Sequence, residues 1–357
     1  MVQQSERERT TLSERTTLSQ VATLAGVSAS TVSLVLAGKA DHRRIREETC
    51  QRVRIAAAEL NYAPNLLTRS LRRGRTHILS FFSGFGHRDR GDQYMDRMSS
   101  AIELAGGEHG YDVLVHCNFK RSPREIYEFL NGGLADGLIL FAPRENDPLL
   151  PFIRTCPLPV VIINGKDPLG QYPSVRDDVE QGMRLVASAL IEHGHRRILA
   201  VTGRGDDVRD AEVRLRLLAA HLHDAGIAFG ADDVVFDSEN AREVLVRCLA
   251  QESPPTAIFA WHDRAAYRYL EACEELGLQV PEELSIIGYD GIRWSSGTRH
   301  QAATVVVGFD ASASAAVRRL DESISNTVQP PLEEVLAVSL DLGTTLGLAP
   351  CLQRSNI

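Results

Sequence analysis

The side chains best suited to recognition fall into two sets. The first is Ser28-Ala-Ser-Thr-Val-Ser-Leu34, small or hydroxylic apart from Val32 and Leu34. Short side chains on one helix let hydroxyls approach base edges and phosphates. The second set consists of polar residues that follow apolar runs. His262 and Arg264 follow Ala257–Ala260, and Asp290 follows Ile286–Gly288. The carboxyl end of a buried parallel strand is where small ligands are usually met.

Catalytic patterns are missing. Gly203-Arg-Gly205 is not a P-loop, no Gly-x-Ser-x-Gly occurs, and no two histidines have the His-Glu-x-x-His spacing of a metal site. His193 and His195 precede an apolar run, which suggests structural or capping roles. The six cysteines are scattered without a Cys-x-x-Cys, so reduced thiols are expected rather than disulfides or zinc. No catalytic residue, metal or cofactor is expected, and the chain is not read as an enzyme.

The elements that must position the first set form a helix-turn-helix. Gly26 breaks one helix and Ser28 caps the next, while Val21, Leu24, Ala25, Val27, Val32 and Val35 close a small core. A third helix is expected over roughly Glu47–Leu60. Its apolar face comprises Val53, Ile55, Ala56, Ala57 and Leu60, with Arg52 and Arg54 in water. Asn61-Tyr-Ala-Pro64 ends it, because proline disfavours helix in its predecessor. Asn65–Arg72 has the length of two helical turns, too few to be stable alone. It needs DNA or its twin in a dimer. Residues 1–16 are read as a disordered arm, with the tandem repeat Glu8–Ser13 and Glu14–Ser19 a local duplication.

From His77 onward, short apolar runs alternate with helical patterns. The runs are Ile78–Phe82, Asp112–Val115, Gly137–Phe141, Val160–Ile163, Ile198–Thr202, Asp233–Phe236, Ala257–Ala260 and Ser285–Gly288. This is βαβ grammar around buried parallel sheets. It predicts an α/β body of two similar Rossmann-like lobes dividing near Pro173–Asp178, with at least one further strand over Glu334–Leu340. The boundaries follow as an arm 1–16, a headpiece 17–63, a hinge 64–76, a body 77–350 and a loose tail 351–357. The first lobe is about 77–176 plus part of 305–335. The second is about 177–304 plus the C-terminal strand.

Charge separates the same parts. The net charge is −8, but residues 1–75 hold 13 Lys+Arg against 7 Asp+Glu, and the remainder 26 against 40. A basic head on an acidic body suits a protein that meets phosphates at one end only. Arg69 and Arg72, with Arg43, Arg44 and Arg75, are the phosphate candidates. Residues 1–15 are polar and charged, unlike a secretory signal, so a cytoplasmic location on the nucleoid is expected.

Four motifs carry a resemblance. They are Thr17-Leu-Ser-Gln-Val-Ala with Ala25-Gly-Val-Ser-Ala-Ser-Thr-Val-Ser33, Asn65-Leu-Leu-Thr-Arg-Ser-Leu71, Glu192-His-Gly-His-Arg-Arg-Ile198, and Ala257-Ile-Phe-Ala-Trp-His-Asp263 with Val280–Asp290. From Thr17 to about Pro350 the chain resembles the LacI/GalR family of bacterial transcription regulators. The last two motifs alone also fit periplasmic sugar-binding proteins, whose body is similar. The resemblance implies a ligand-responsive transcriptional repressor, a homodimer on a near-palindromic double-stranded DNA operator. It also implies a periplasmic-binding-protein-like body that takes a sugar or sugar derivative. Ligand either releases DNA or is required for it. The alternative is a periplasmic-type sugar-binding protein without a regulatory role.

Residue by residue, the family's reading positions fall on Ala29, Ser30 and Leu34. Ser19, Ser28, Thr31 and Ser33 suit packing, capping or phosphate contact. Leu34 stands where many relatives carry Arg or His. It cannot make the bidentate contact that reads guanine, and suits a thymine methyl instead. Asn65 belongs to the hinge, and Leu71 resembles the leucine that wedges into the minor groove. In the cleft, Arg214, Gln93 and Tyr94 match pocket positions, and Phe141, Asn164 and Phe309 are further candidates. Asp263 is read as a helix cap. The charged run His87-Arg-Asp-Arg90 suits a solvated loop, with an acidic or phosphorylated ligand as its alternative.

Overall fold

The computed structural model describes residues 16–350, except 39, 41–43, 64–69, 71–73, 84–91, 117–119, 145, 168, 204–208, 238, 295 and 328–332. The chain divides into two compact units, 1–76 and 77–357.

In the first unit, α1 (Leu18–Ala25), α2 (Ala29–Leu36) and α3 (Glu47–Glu59) pack mutually. Thr17 and Gln20 form a reciprocal cap on α1, and Gly26 ends it at φ 63°, a conformation only glycine takes readily. The chain then turns through 101° into α2, the angle of a helix-turn-helix. Val21, Ala22, Ala25, Val32 and Val35 meet Cys50, Val53, Ala56 and Ala57 in one core. Two expected core residues lie outside it: Leu24 is 49% and Ile55 65% exposed. Each sits on the far side of its helix, where periodicity over so short a segment defines the face poorly. Asn65, Arg69, Leu71 and Arg72 lie outside the described residues, as do residues 1–15 of the expected arm 1–16; Thr16 Oγ1 donates to the Leu60 carbonyl at 2.9 Å.

The second unit contains two sheets. The first has strand order β11-β5-β4-β3-β1-β2, with β1 Ile78–Ser83, β2 Asp112–Val115, β3 Gly137–Phe141, β4 Val160–Ile163, β5 Ser174–Asp177 and β11 Glu333–Leu336. All of its pairings are parallel. The second has order β12-β10-β9-β8-β6-β7, with β6 Ile198–Thr202, β7 Val234–Phe236, β8 Ala257–Ala260, β9 Ser285–Asp290, β10 Ala303–Val306 and β12 Ser339–Asp341. Only its β10–β12 pairing is antiparallel. Helices α4 (Gln93–Glu108), α5 (Pro123–Leu130), α6 (Leu150–Ile153), α7 (Val179–Glu192), α8 (Arg209–Asp224), α9 (Ala241–Leu249), α10 (Asp263–Leu276) and α11 (Phe309–Ile324) separate the strands.

The chain crosses between lobes three times: from β5 into α7, from β10 into α11, and from β11 into β12. Helix α11 returns to pack on α4 and the first sheet. The segment Glu334–Leu340, where at least one strand is expected, holds parts of two, one in each sheet. Ala337 and Val338 carry the third crossing, and the Val338 amide donates to Gln181 Oε1 at 3.0 Å. Strands β5 and β10 were absent from the sequence reading. Both lie at crossings, where polar residues interrupt the apolar run.

His195 fastens the C-terminal segment. Its Nε2 donates to the Gly347 carbonyl at 3.1 Å, leaving Nδ1 to accept from the Thr256 hydroxyl at 3.0 Å. Cys50, Cys156, Cys248 and Cys273 are free thiols. Among the described residues, no single helix is long and apolar enough to cross a membrane.

Gly343 has φ 52°, and a Cβ there would collide with backbone of Gln301 and Ala302. Gly107, within α4, has nothing near a Cβ. Gly343→Ala is therefore expected to destabilise the body by about 2 kcal/mol or more, whereas Gly107→Ala gains about 0.5–1 kcal/mol. Urea unfolding of both variants checks the contrast.

Candidate DNA-reading helix and effector cleft

Helix α2 presents its first turn to solvent. Ser28 is its N-cap, accepting from the Thr31 amide at 3.2 Å, and its Oγ also lies 2.7 Å from Ser30 Oγ and 2.9 Å from Thr31 Oγ1. Three hydroxyls therefore cluster at a helix N-terminus, where amide donors and the helix dipole favour an anion. Ala29 and Ser30 are exposed, and Thr31, Ser33 and Leu34 are half-buried. Ser19, also exposed, lies on α1. The cap occupies Ser28, so Ala29 and Ser30 are the freer of the sequence candidates. Val32 and Val35 on the opposite side hold the helix to its core.

In the body, the ends of β8 and β9 meet at Arg214. This α8 residue is 7% exposed. Its Nη1 donates to the Trp261 carbonyl just beyond β8, and to Asp290 Oδ1 at 3.3 Å at the end of β9. The guanidinium lies 3.6 Å above the Tyr289 ring. Burial works against its charge, but Asp290, Tyr289 and Asp210 outweigh that and raise its pKa. Asp290 has φ 115°, a backbone state that costs an ordinary residue about 1–3 kcal/mol and tends to mark functional sites. Burial pushes its carboxyl up to about 7 against the opposing pull of Arg214.

The first lobe supplies Tyr94 on α4. Its hydroxyl accepts from Asn164 Nδ2 at 2.6 Å, and its ring meets Phe309 edge-on at 4.9 Å and Phe141 at 6.0 Å. Burial, then Asp177 and Asp290, raise the Tyr94 pKa well above its ordinary value, so the hydroxyl stays protonated. Gln93 precedes it, half-buried, in the first turn of α4. The structure thus gathers Tyr94, Phe141, Phe309, Asn164, Arg214 and Asp290. Arg264 is not brought there. It is exposed, with its guanidinium 5.6 Å from the Trp294 ring.

Asp263 does not cap α10. His262 does, its Nδ1 accepting from the Ala265 amide at 2.9 Å. Asp263 is the first residue inside the helix, and its Oδ2 accepts from the Ile292 amide at 2.5 Å. A histidine with one free ring nitrogen can cap as asparagine does, a role that the spacing did not reveal. Sequence reasoning also missed Trp261, Asp237, Tyr289, Thr202 and Asp177. Trp261 Nε1 donates to Asp237 Oδ2 at 3.0 Å, and His262 Nε2 lies 3.6 Å from the same oxygen. The signal available for Trp261 was its place directly after β8. Among the described residues, no group of three His, Cys, Asp or Glu is placed to hold a metal.

Comparison with known proteins places this architecture. Residues 17–65 match the model of bacterial regulatory proteins, lacI family, and residues 187–346 match a periplasmic binding protein-like domain. The chain is 30% identical over 281 residues to the HTH-type transcriptional repressor PurR of Aliivibrio fischeri, covering 76% of this chain and 81% of that one. The chain belongs to the lacI family. Catabolite control protein A of Priestia megaterium is 26% identical over 79% of this chain and 84% of its own. Among solved structures, the Lac repressor dimer bound to operator and the anti-inducer ONPF superposes with a TM-score of 0.79 at 24% identity, covering 94% of this chain and all of that one. The regulator CelR in complex with cellobiose gives 0.65 at 25% identity, covering 93% and 100%. The lacI-family head and the two-lobed body thus coincide with the two units described above.

Burial lowers the His262 pKa to about 4, below the ordinary value of 6.5. Native protein therefore binds fewer protons there than unfolded chain between pH 6.5 and 4, and stability falls as pH drops through that window. His262→Asn keeps a capping acceptor and is expected to remove this contribution. His262→Ala should lose about 1 kcal/mol at pH 8. Thermal unfolding from pH 4 to 8 checks both.

Proposed function

We propose that this protein is a ligand-responsive transcriptional repressor. It binds a near-palindromic operator as a homodimer and is switched by a small sugar-like metabolite in the body cleft. The observation that carries the reading is that one chain holds both a helix-turn-helix on a basic segment and a two-lobed body in which the ends of β8 and β9 meet at Arg214. A transport binding protein has no use for the first part. The relatives are regulators rather than enzymes, and the cleft residues are assigned binding roles with no catalytic one.

Recognition follows from size. One α2 reads a few base pairs, and a twofold pair reads both halves of a palindrome. Ala29, Ser30 and Leu34 face base edges; Ser19, Thr31 and Ser33, with Arg69 and Arg72, touch phosphates. Leu34 on a thymine methyl favours an operator distinct from those read by an arginine at that position. Asn65 and Leu71 belong to the hinge, with Leu71 as the central wedge. In the cleft, Arg214 and Asp290 bind ligand hydroxyls, Tyr94, Phe141 and Phe309 supply an aromatic wall, and Gln93 and His262 line its edges. Ligand that draws the lobes together changes the separation of the two hinges, with a coupling of about 1–3 kcal/mol.

Footprinting on the DNA upstream of the protein's own gene, with and without sugars, tests this. Protection of a palindromic site that one sugar alters is expected; protection that no ligand alters contradicts the switch. Leu71→Ala should weaken specific binding about tenfold or more while non-specific binding changes less than about twofold. Competition gel shifts against random duplex measure both.

A further inference from the structure

Asp177 was not singled out by any sequence motif. It closes β5 at the first crossing between lobes and is 7% exposed. It accepts a hydrogen bond from the Gly308 amide at the second crossing. Its Oδ1 is buried without a hydrogen-bond partner among the described residues. Arg214 is in the complementary state. Its Nη1 serves Trp261 and Asp290, while its Nε is buried and likewise without a partner. At the end of β6, Thr202 is 4% exposed and its Oγ1 is also buried without a partner. A buried charged donor and a buried charged acceptor that attract each other are thus both incompletely satisfied. Groups so placed are costly unless something else completes their bonding.

We infer that Asp177 is a ligand-contacting residue, and that its Oδ1 and Arg214 Nε together recognise hydroxyls of an uncharged ligand and reject phosphorylated or carboxylated ones at the end of the cleft nearest the crossings between lobes. This rests on the reading of the cleft as an effector site. A hydroxyl both donates and accepts, so it completes both groups. A phosphate only accepts. It satisfies Arg214 but sets its charge against the surrounding carboxyls. The charged and titratable groups facing Asp177 are Arg214 and Asp210 from α8, Tyr94 from α4, and Tyr289 and Asp290 from β9. With Asp177 itself, that is, among the described residues, one cation to three carboxyls. The run His87–Arg90, whose charge suggested an acidic ligand as an alternative, lies outside the described residues.

Burial holds Asp177 up to about 6 and Asp290 up to about 7. Ligand hydroxyls donate to the ionised forms. Affinity for a hydroxyl ligand therefore strengthens as pH rises from 5 to 8, while a phosphate gains nothing from that ionisation and meets more repulsion.

The experiment titrates the full-length protein calorimetrically with matched pairs: glucose and glucose 6-phosphate, galactose and galactose 1-phosphate, ribose and ribose 5-phosphate. The neutral member of at least one pair is expected to bind about tenfold or more tighter than its ester. Asp177→Asn should weaken that neutral sugar about tenfold and flatten its pH profile between 5 and 7. A phosphate ester that binds more tightly overturns the inference. So does an Asp177→Asn variant with wild-type affinity and pH slope. If no member of any pair binds while operator binding persists, the sugar-effector reading itself fails, and the inference with it.

Discussion

The cleft is organised around a buried cation, Arg214. A guanidinium out of water is tolerable only with opposite charge and hydrogen-bond acceptors close at hand. Arg214 takes its direct contacts from the second lobe: the Trp261 carbonyl, the Asp290 carboxylate and the Tyr289 ring face. Each of those partners sits at or just beyond the end of a parallel strand. The strand register that builds the second sheet therefore also fixes the floor of the cleft. The φ of 115° at Asp290 is strain held in place by that arrangement.

The first lobe approaches the same cation without bonding it. Tyr94 stands on α4, buttressed by Phe309, which opens the helix that returns from the other lobe. Asp177 and Gly308 are joined across two crossing strands. A ligand between Tyr94 and Arg214 would thus touch both lobes beside the segments that cross between them. This is the physical basis for a switch: differential contact in the open and closed arrangements, which is the only way a ligand can shift such an equilibrium. The headpiece needs no share in that chemistry. Its own core of Val21, Val32, Val35 and Val53 suffices to present α2.

Much of this could be read from the chain. Strands with uninterrupted apolar runs, such as Val160–Ile163 and Ala257–Ala260, were legible because both faces of a parallel sheet are buried. Helix α3 was legible from its amphipathic period and the proline beyond it. Strands β5 and β10 were not, because they contain Arg176, Asp177 and Thr304 and each lies just before a crossing between lobes. The two strands of the tail were not told apart because an apolar pattern does not say which sheet receives each half. Arg214 and Asp290 were found, one through resemblance and one through strand-end position. Asp177, Trp261 and Asp237 escaped, since each acts through a spatial neighbour distant in sequence. The exchange of roles between His262 and Asp263 has the same origin: either residue can cap, and only the fold shows that the Asp263 carboxylate is taken by the Ile292 amide.

The central claim is that Arg214 and Asp290 form one buried unit whose members are tolerable only together. A double-mutant cycle on unfolding of the body at pH 8, with Arg214→Met, Asp290→Asn and the pair combined, tests it most directly. Each single change strands a partner and should cost about 3 kcal/mol or more, with the double change costing clearly less than their sum. Strict additivity of the two effects would contradict the account.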